Sequence, residues 1–345
     1  LTNGTSYTFS ATATNSTGTS SGTTSSAVTP AGKPEAPTGL NAVSGNASAT
    51  VSLTAVSGSA TGGPAISSYT ITAYDASNNA VGTPCQTASS ATSCVVTGLT
   101  NGTTYTFKAT ASNGLFTSSA SAASNAVTPA TAPDSPTSVT ASSSASGSAT
   151  VSFSAPTNNG GSAVTSYTVT SSPAGATCSI GANATTYICT GLTDGTSYTY
   201  SVIAVNAKGN SASATSSALI TQGAASAPTT ISATTGDGQA TITFSGAAAN
   251  GSTITGYTVK AYDNTGNEVT GVSCSVTTSN ANGSCIVTGL TNGSSYTFKA
   301  ITNSTANSAS VTSSPSIPTA AITPAKAPDA PTGLQVTPGT GKVTV

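Results

Sequence analysis

Acid–base, nucleophilic and metal chemistry all need titratable side chains held close together, and this chain supplies few. Its 345 residues carry seven lysines and eight carboxylates, with no histidine and no arginine. The carboxylates are Glu35, Asp75, Asp134, Asp194, Asp237, Asp263, Glu268 and Asp329. Asp134 and Asp329 fall in proline-bearing stretches, and Asp194 and Asp237 in turn sequences, where aspartate serves the backbone. No pair recurs that could share the separated pKa values of an acid and a base. Serine is abundant but lacks a histidine to activate it. The sequence therefore predicts no catalysis and no cofactor. Asp75 and Asp263 share an Ala-Tyr-Asp context, and Glu268 lies near the second. Calcium takes six to eight oxygens and usually several carboxylates. One or two per repeat is too few, so these aspartates are expected to open turns and no metal is expected.

The six cysteines form three close pairs: Cys85 with Cys94, Cys178 with Cys189, and Cys274 with Cys285. Each second cysteine sits a short odd step before a recurring leucine, which keeps it on one face of a strand. That regularity predicts three disulfides. In the chain-entropy model, loops this short add about 3 kcal/mol each. Pairs of buried free thiols are the alternative. Zinc is excluded, since two cysteines without histidine cannot complete four ligands. Disulfides imply an oxidising, exported location, either extracellular or on the cell surface.

These residues are positioned by a repeat. The segment LTNGTSYTF at Leu1 returns as LTNGTTYTF at Leu99, LTDGTSYTY at Leu192 and LTNGSSYTF at Leu290. The spacing is domain-sized, so each copy marks a folded module and the chain is a tandem array. The expected divisions are 1–31 as the later part of one module, whole modules at 32–130, 131–224 and 225–325, and 326–345 as the start of another. The phase of the repeat predicts a longer parent polypeptide. Within 32–130, β-branched alternation broken by Gly, Asn, Pro and Ser predicts seven short strands. They lie around Leu40, over Val51 to Leu53, over Ile66 to Tyr74, near Cys85, from Ser93, from Tyr105, and in SNAVTP at the end. Turn signals at this frequency indicate a two-sheet, all-β sandwich. Short proline-bearing junctions such as TPATAPDSP predict an extended, semi-rigid array.

Charged residues make up 4% of the chain and its net charge is −1, so there is no basic stripe for nucleic acid. No apolar run approaches the roughly 18 residues of a membrane span. More than a third of the residues are Ser or Thr. Sequons beginning at Asn3, Asn15, Asn46, Asn101, Asn183, Asn250, Asn282, Asn292 and Asn303 follow from that composition and are no evidence of glycosylation. Tyr74 and Tyr262 lie an odd step from the strand-three tyrosines Tyr69 and Tyr257, hence on the other sheet face. They are candidate contact aromatics, between modules or laterally. Lys108 and Lys299 are expected to face solvent.

The chain resembles tandem fibronectin type III modules over essentially its whole length. The resemblance rests on the proline-bearing opening, the triplets Val51 to Leu53, Val151 to Phe153 and Ile242 to Phe244, the SYT or GYT of strand three, and the GLT-x-G-x-x-Y-x-F/Y segment. It implies immunoglobulin-like sandwiches and a structural tyrosine corner at Tyr7, Tyr105, Tyr198 and Tyr296. Leu53, Phe153 or Phe244 stands where that family has a strand-two tryptophan, and a disulfide pair is not general to it. The expected role is a structural repeat region of a long secreted or cell-surface protein, bacterial by composition: a stalk, fibre or sheath that self-associates. Its partners are then other copies of itself or other cell-surface components. The alternatives are the spacer of an adhesin and the accessory region of a secreted polysaccharide-degrading enzyme.

Overall fold

A computed structural model describes residues 1–181 and 184–345; the sequon at Asn183 lies outside the described residues. The chain divides into two compact units. One is Leu1–Thr137 with Ser154–Thr168 and Val202–Ala214, and the other is Ser138–Phe153 with Val169–Ser201 and Thr215–Val345.

In the first unit the whole repeat consists of β1 (Thr38–Ser44), β2 (Ser48–Thr54), β3 (Ser68–Tyr74), β4 (Ala80–Ala88), β5 (Ser93–Thr97) and β6 (Thr106–Ser112). All pair antiparallel in the order β6-β3-β4-β5-β2-β1. β4 is the strand that changes layers: most of it lies on β3, and its Thr83 pairs with Thr97 of β5. β3 and β6 bury alternate residues, as period-two patterning demands. Their register sets each large side chain opposite a small one: Phe107 faces Ala73, Ile71 faces Ala109, and Tyr69 faces Ala111. This fills the core without tryptophan. Ala49, Val51, Leu53 and Val96 supply the opposing layer. Burying each side chain of the size of Val51, Ile71 or Phe107 contributes roughly 1.5–3 kcal/mol.

The next repeat comprises β7 (Thr137–Ala145), β8 (Ser148–Ser154), β9 (Val164–Ser172), β10 (Thr177–Ile180), β11 (Thr186–Thr190) and β12 (Ser197–Asn206). They form a β7-β8-β11-β10 sheet and a β9-β12 pair extended by two-residue strands. The last whole repeat lies in the second unit. It comprises β13 (Thr230–Thr235), β14 (Gln239–Ser245), β15 (Thr253–Tyr262), β16 (Glu268–Thr277), β17 (Gly283–Thr288), β18 (Thr297–Ala306) and β19 (Ala309–Thr312). The sheets are β13-β14-β17 and β16-β15-β18-β19. Phe244 and Tyr257 meet between them with ring centroids 4.5 Å apart, and the Tyr257 hydroxyl donates to the Asn280 carbonyl at 2.8 Å. The polar end of a fully buried ring is thereby paired.

The seventh segment differs from an ordinary strand. In residues 113–130 it makes only isolated bridges, Ser112 to Thr117 and Tyr105 to Val127. Between them the partners of β6 are serines. Ser118, Ser121 and Ser124 give their N–H groups to the carbonyls of Ala111, Ala109 and Phe107. The N–H groups of those same residues return to the serine hydroxyls, at 2.9, 3.0 and 3.1 Å. Each hydroxyl proton then goes to the carbonyl of the following residue. A serine at every third position thus matches every second residue of β6, and its oxygen stands where a ladder would place a carbonyl. Ser211 and Ser216 do this for Ala204 and Tyr200 on β12. Ser313, Ser316 and Thr319 do it for Thr302, Ala300 and Phe298 on β18.

Ser121→Ala is expected to cost about 1–3 kcal/mol, because the buried Ala109 N–H loses its acceptor. Ser124→Thr should be close to neutral, since Thr319 fills that place on β18. Urea denaturation together with amide exchange at Ala109 and Phe107 measures both, and unchanged exchange in Ser121→Ala would refute the hydroxyl ladder. A second prediction concerns Tyr200, which takes the place of Phe107 and Phe298. It is fully buried, and its hydroxyl has no partner among the described residues. Burial, with a smaller effect of Tyr198, pushes its phenol pKa up. Removing an unpaired buried hydroxyl relieves a penalty of about 1–3 kcal/mol, so Tyr200→Phe should raise the urea midpoint. A lowered midpoint would mean the hydroxyl is bonded in solution.

Candidate functional site

The cysteines are brought together in pairs, and none is free among the described residues. Cys85 of β4 is bonded to Cys94 of β5, with Cα atoms 6.3 Å apart. Cys178 of β10 and Cys189 of β11 are directly opposed neighbours in one sheet, Cα to Cα 3.9 Å. Cys274 of β16 and Cys285 of β17 join strands of two different sheets, Cα to Cα 6.1 Å. As disulfides, these sulfurs offer neither a thiolate nucleophile nor a metal ligand.

The recurring tyrosines share one local geometry. The hydroxyls of Tyr7, Tyr105, Tyr198 and Tyr296 accept the N–H of Thr2, Thr100, Thr193 and Thr291 at 2.9, 3.1, 3.1 and 3.1 Å. Hydrogen bonds from the backbone of Thr2 and Thr291 hold the phenols of Tyr7 and Tyr296 below their ordinary pKa. Between each donor and its tyrosine lies an Asn-Gly or Asp-Gly turn whose glycine takes positive φ, +79°, +83°, +80° and +84° at Gly4, Gly102, Gly195 and Gly293.

The first residue of that turn has a role that turn chemistry alone did not reveal. Asn101 accepts the Ala47 N–H at 2.8 Å, Asp194 the Gly147 N–H at 2.9 Å, and Asn292 the Gly238 N–H at 2.9 Å. Each therefore clamps the hairpin between the first two strands of its repeat to the turn before the tyrosine. The available signal was the recurrence of Asn or Asp at one position of every copy, paired with a small hairpin some fifty residues upstream.

Tyr74 ends β3 and Tyr262 ends β15, and a lysine covers each ring. Lys108 Nζ lies 4.8 Å from the Tyr74 centroid and donates to Asn78 Oδ1; Lys299 Nζ lies 4.5 Å from the Tyr262 centroid. These lysines, expected to face solvent, are half-buried against aromatic faces. At such sites a cation–π contact contributes about 0.5–1 kcal/mol. Beside the second pair, Lys260 Nζ meets Glu268 at 3.0 Å.

The two aspartates considered for calcium act within their turns. Asp75 Oδ1 accepts the N–H groups of Ser77 and Asn79, and Asp263 Oδ1 those of Thr265 and Asn267. Hydrogen bonds from Asn79 lower the Asp75 pKa most, and those from Thr265 and Asn267 that of Asp263. These carboxylates steady their turns above the ordinary aspartate pKa, and lose that effect as the pH falls through the lowered value. Among the described residues no three Cys, Asp or Glu groups gather as metal ligands, and no helix is long and apolar enough to cross a membrane.

Over 149 residues, 41% of this chain, the sequence is 38% identical to chitinase A1 of Niallia circulans; the match spans 20% of that protein. The crystal structure of chicken CNTN1 FN1–FN3 domains is 18% identical, with 85% of this chain and 99% of that one covered at a TM-score of 0.31. The family profile of the fibronectin type III domain matches residues 35–127, 134–221 and 226–319, and the chain belongs to that family.

Proposed function

We propose that this chain is a structural repeat region of a long secreted or cell-surface protein, serving outside the cell as a stalk, fibre or sheath and doing no catalysis. The observation that carries the reading is that each of three successive fibronectin type III repeats holds its own disulfide. Such cross-links persist in oxidising compartments and are rare in the cytosol. On this reading the repeats run 32–130, 131–224 and 225–325, flanked by part repeats at 1–31 and 326–345. Tyr7, Tyr105, Tyr198 and Tyr296 act as tyrosine corners that fix the turn before the sixth strand. The partners are other copies of the chain or other cell-surface components. A net charge of −1 over 345 residues leaves almost no long-range repulsion to oppose association.

A second reading, the accessory region of a polysaccharide-degrading enzyme, is favoured by the similarity to chitinase A1. Co-sedimentation with chitin separates the two: the structural reading expects the chain to stay in the supernatant, and pelleting with chitin would favour the second. Antibodies raised against the chain should label intact producing cells or their culture medium. Signal confined to the cytosol would overturn both. Light scattering in low salt should show particle mass rising with concentration, and dispersed monomers would remove self-association.

Reduction supplies a further prediction. The cysteines are 9, 11 and 11 residues apart, so opening each bond should lower the stability of its repeat by about 3 kcal/mol in the chain-entropy model. Urea midpoints with and without reductant, read by the tyrosine signal, test this. Coincident curves would mean that the disulfides add nothing.

A further inference from the structure

Successive repeats are connected in one way, three times over. Gly102 donates its N–H to the Pro129 carbonyl at 2.9 Å, and two residues on, Thr131 donates to the Gly160 carbonyl of the following repeat at 2.8 Å. The same relay runs from Gly4 to Pro30 and Gly32 to Gly62, at 2.9 and 2.8 Å, and from Gly195 to Thr221 and Gly223 to Asn250, at 2.9 and 3.0 Å. The connecting segment is thereby pinned on one side to the turn of the repeat it leaves and on the other to a loop of the repeat it enters.

Turn and loop also touch backbone to backbone. A β-carbon on Gly63 would stand 2.5 Å from the Gly4 nitrogen; one on Gly161 would overlap the Gly102 nitrogen; one on Gly251 would lie 3.3 Å from the Gly195 nitrogen. All three loop glycines have positive φ, +106°, +81° and +75°. Space and conformation thus both demand glycine there. A buried asparagine gathers the parts at two of the junctions. Asn206 Nδ2 donates to the Thr131 and Asn159 carbonyls, both at 2.8 Å, and Asn113 Nδ2 to those of Gly32 and Thr61, both at 3.0 Å.

We propose that the Asn-Gly or Asp-Gly turn is a docking surface, and that its partner is the N-terminal end of another repeat carrying glycine at the position of Gly63, Gly161 and Gly251. The contact selects the neighbour and limits rotation at the junction. Three occupied copies in one chain identify the partner. A fourth copy of the surface exists at Gly293, whose N–H donates to the Pro324 carbonyl at 2.9 Å and whose φ is +84°. The inference goes beyond the stalk reading, because it holds equally for an enzyme's accessory region.

The test is residual dipolar coupling on the labelled full chain. In the native chain, residues 32–130 and the 154–168 loop region should share one alignment tensor. Gly161→Ala should abolish the sharing while amide shifts inside each repeat persist. Gly266→Ala, at φ +87° with nothing within 4 Å, carries the same backbone strain without the contact and should leave the tensor shared. Thr131→Pro removes the linker donor without crowding the loop and should also abolish the sharing, so the test survives if Gly161→Ala fails to fold. Independent tensors in the native chain, or a shared tensor in both junction variants, would overturn the proposal.

Discussion

The structure depends on a single constraint: in a β-module of under about a hundred residues, the N–H and C=O groups on the strands facing the core must all be paired, or each costs about 1–3 kcal/mol. Six strands do this conventionally. The sixth strand still has an outer row of donors, and here serine hydroxyls accept them. Because each hydroxyl also passes its own proton to the next carbonyl, the seventh segment closes its polar groups without lying flat as a strand. A segment in this conformation offers a poor template for another strand, one of the ways in which β proteins manage an exposed edge. Where charged residues usually guard edges, a chain with 4% charge uses the backbone conformation itself.

The scarcity of charge has a second effect. Several ionic groups are engaged over short distances: Lys108 and Lys299 against tyrosine rings, Lys260 with Glu268, and Asp75 and Asp263 within their own turns. The site-level result is therefore an architecture of covalent and hydrogen-bonded clamps. The disulfides tie late strands, the tyrosines fix the turn before the sixth strand, and Asn101, Asp194 and Asn292 bind that turn to the first hairpin.

Period-two patterning made the central strands legible. SYTITAY alternates cleanly, and the structure buries the residues of that pattern on one face. The recurring tyrosine was legible as a position, because its motif is local in sequence. The seventh segment was not, since its signal is a serine every third residue in a chain where Ser and Thr exceed a third of all positions. The Lys108–Tyr74 contact was hidden for a different reason. Strand parity places Lys108 outward, and whether an outward lysine meets water or a ring depends on its diagonal neighbour on the facing strand, here Tyr74 two residues beyond its partner Thr72, which only the register supplies. The hairpin clamp likewise joins residues far apart in sequence.

At the junctions the proline-bearing linker is only part of the connection, because glycines of the adjoining turn and loop meet there as well. Gly- and Ser-rich sequence usually denotes a flexible tether, because glycine widens the backbone's choices and serine adds little packing. At the turn and loop contacts glycine acts the opposite way, and so does serine in the seventh segment. Glycine permits two backbones to meet with no side chain between them, so the contact contains no rotamer that could rearrange, and its entropic cost of ordering is met by hydrogen bonds on both sides of the linker. Serine turns a side chain into a surrogate carbonyl. On the proposed docking contact, rotation at a junction is limited by backbone groups satisfied at close range, with no large side chain involved.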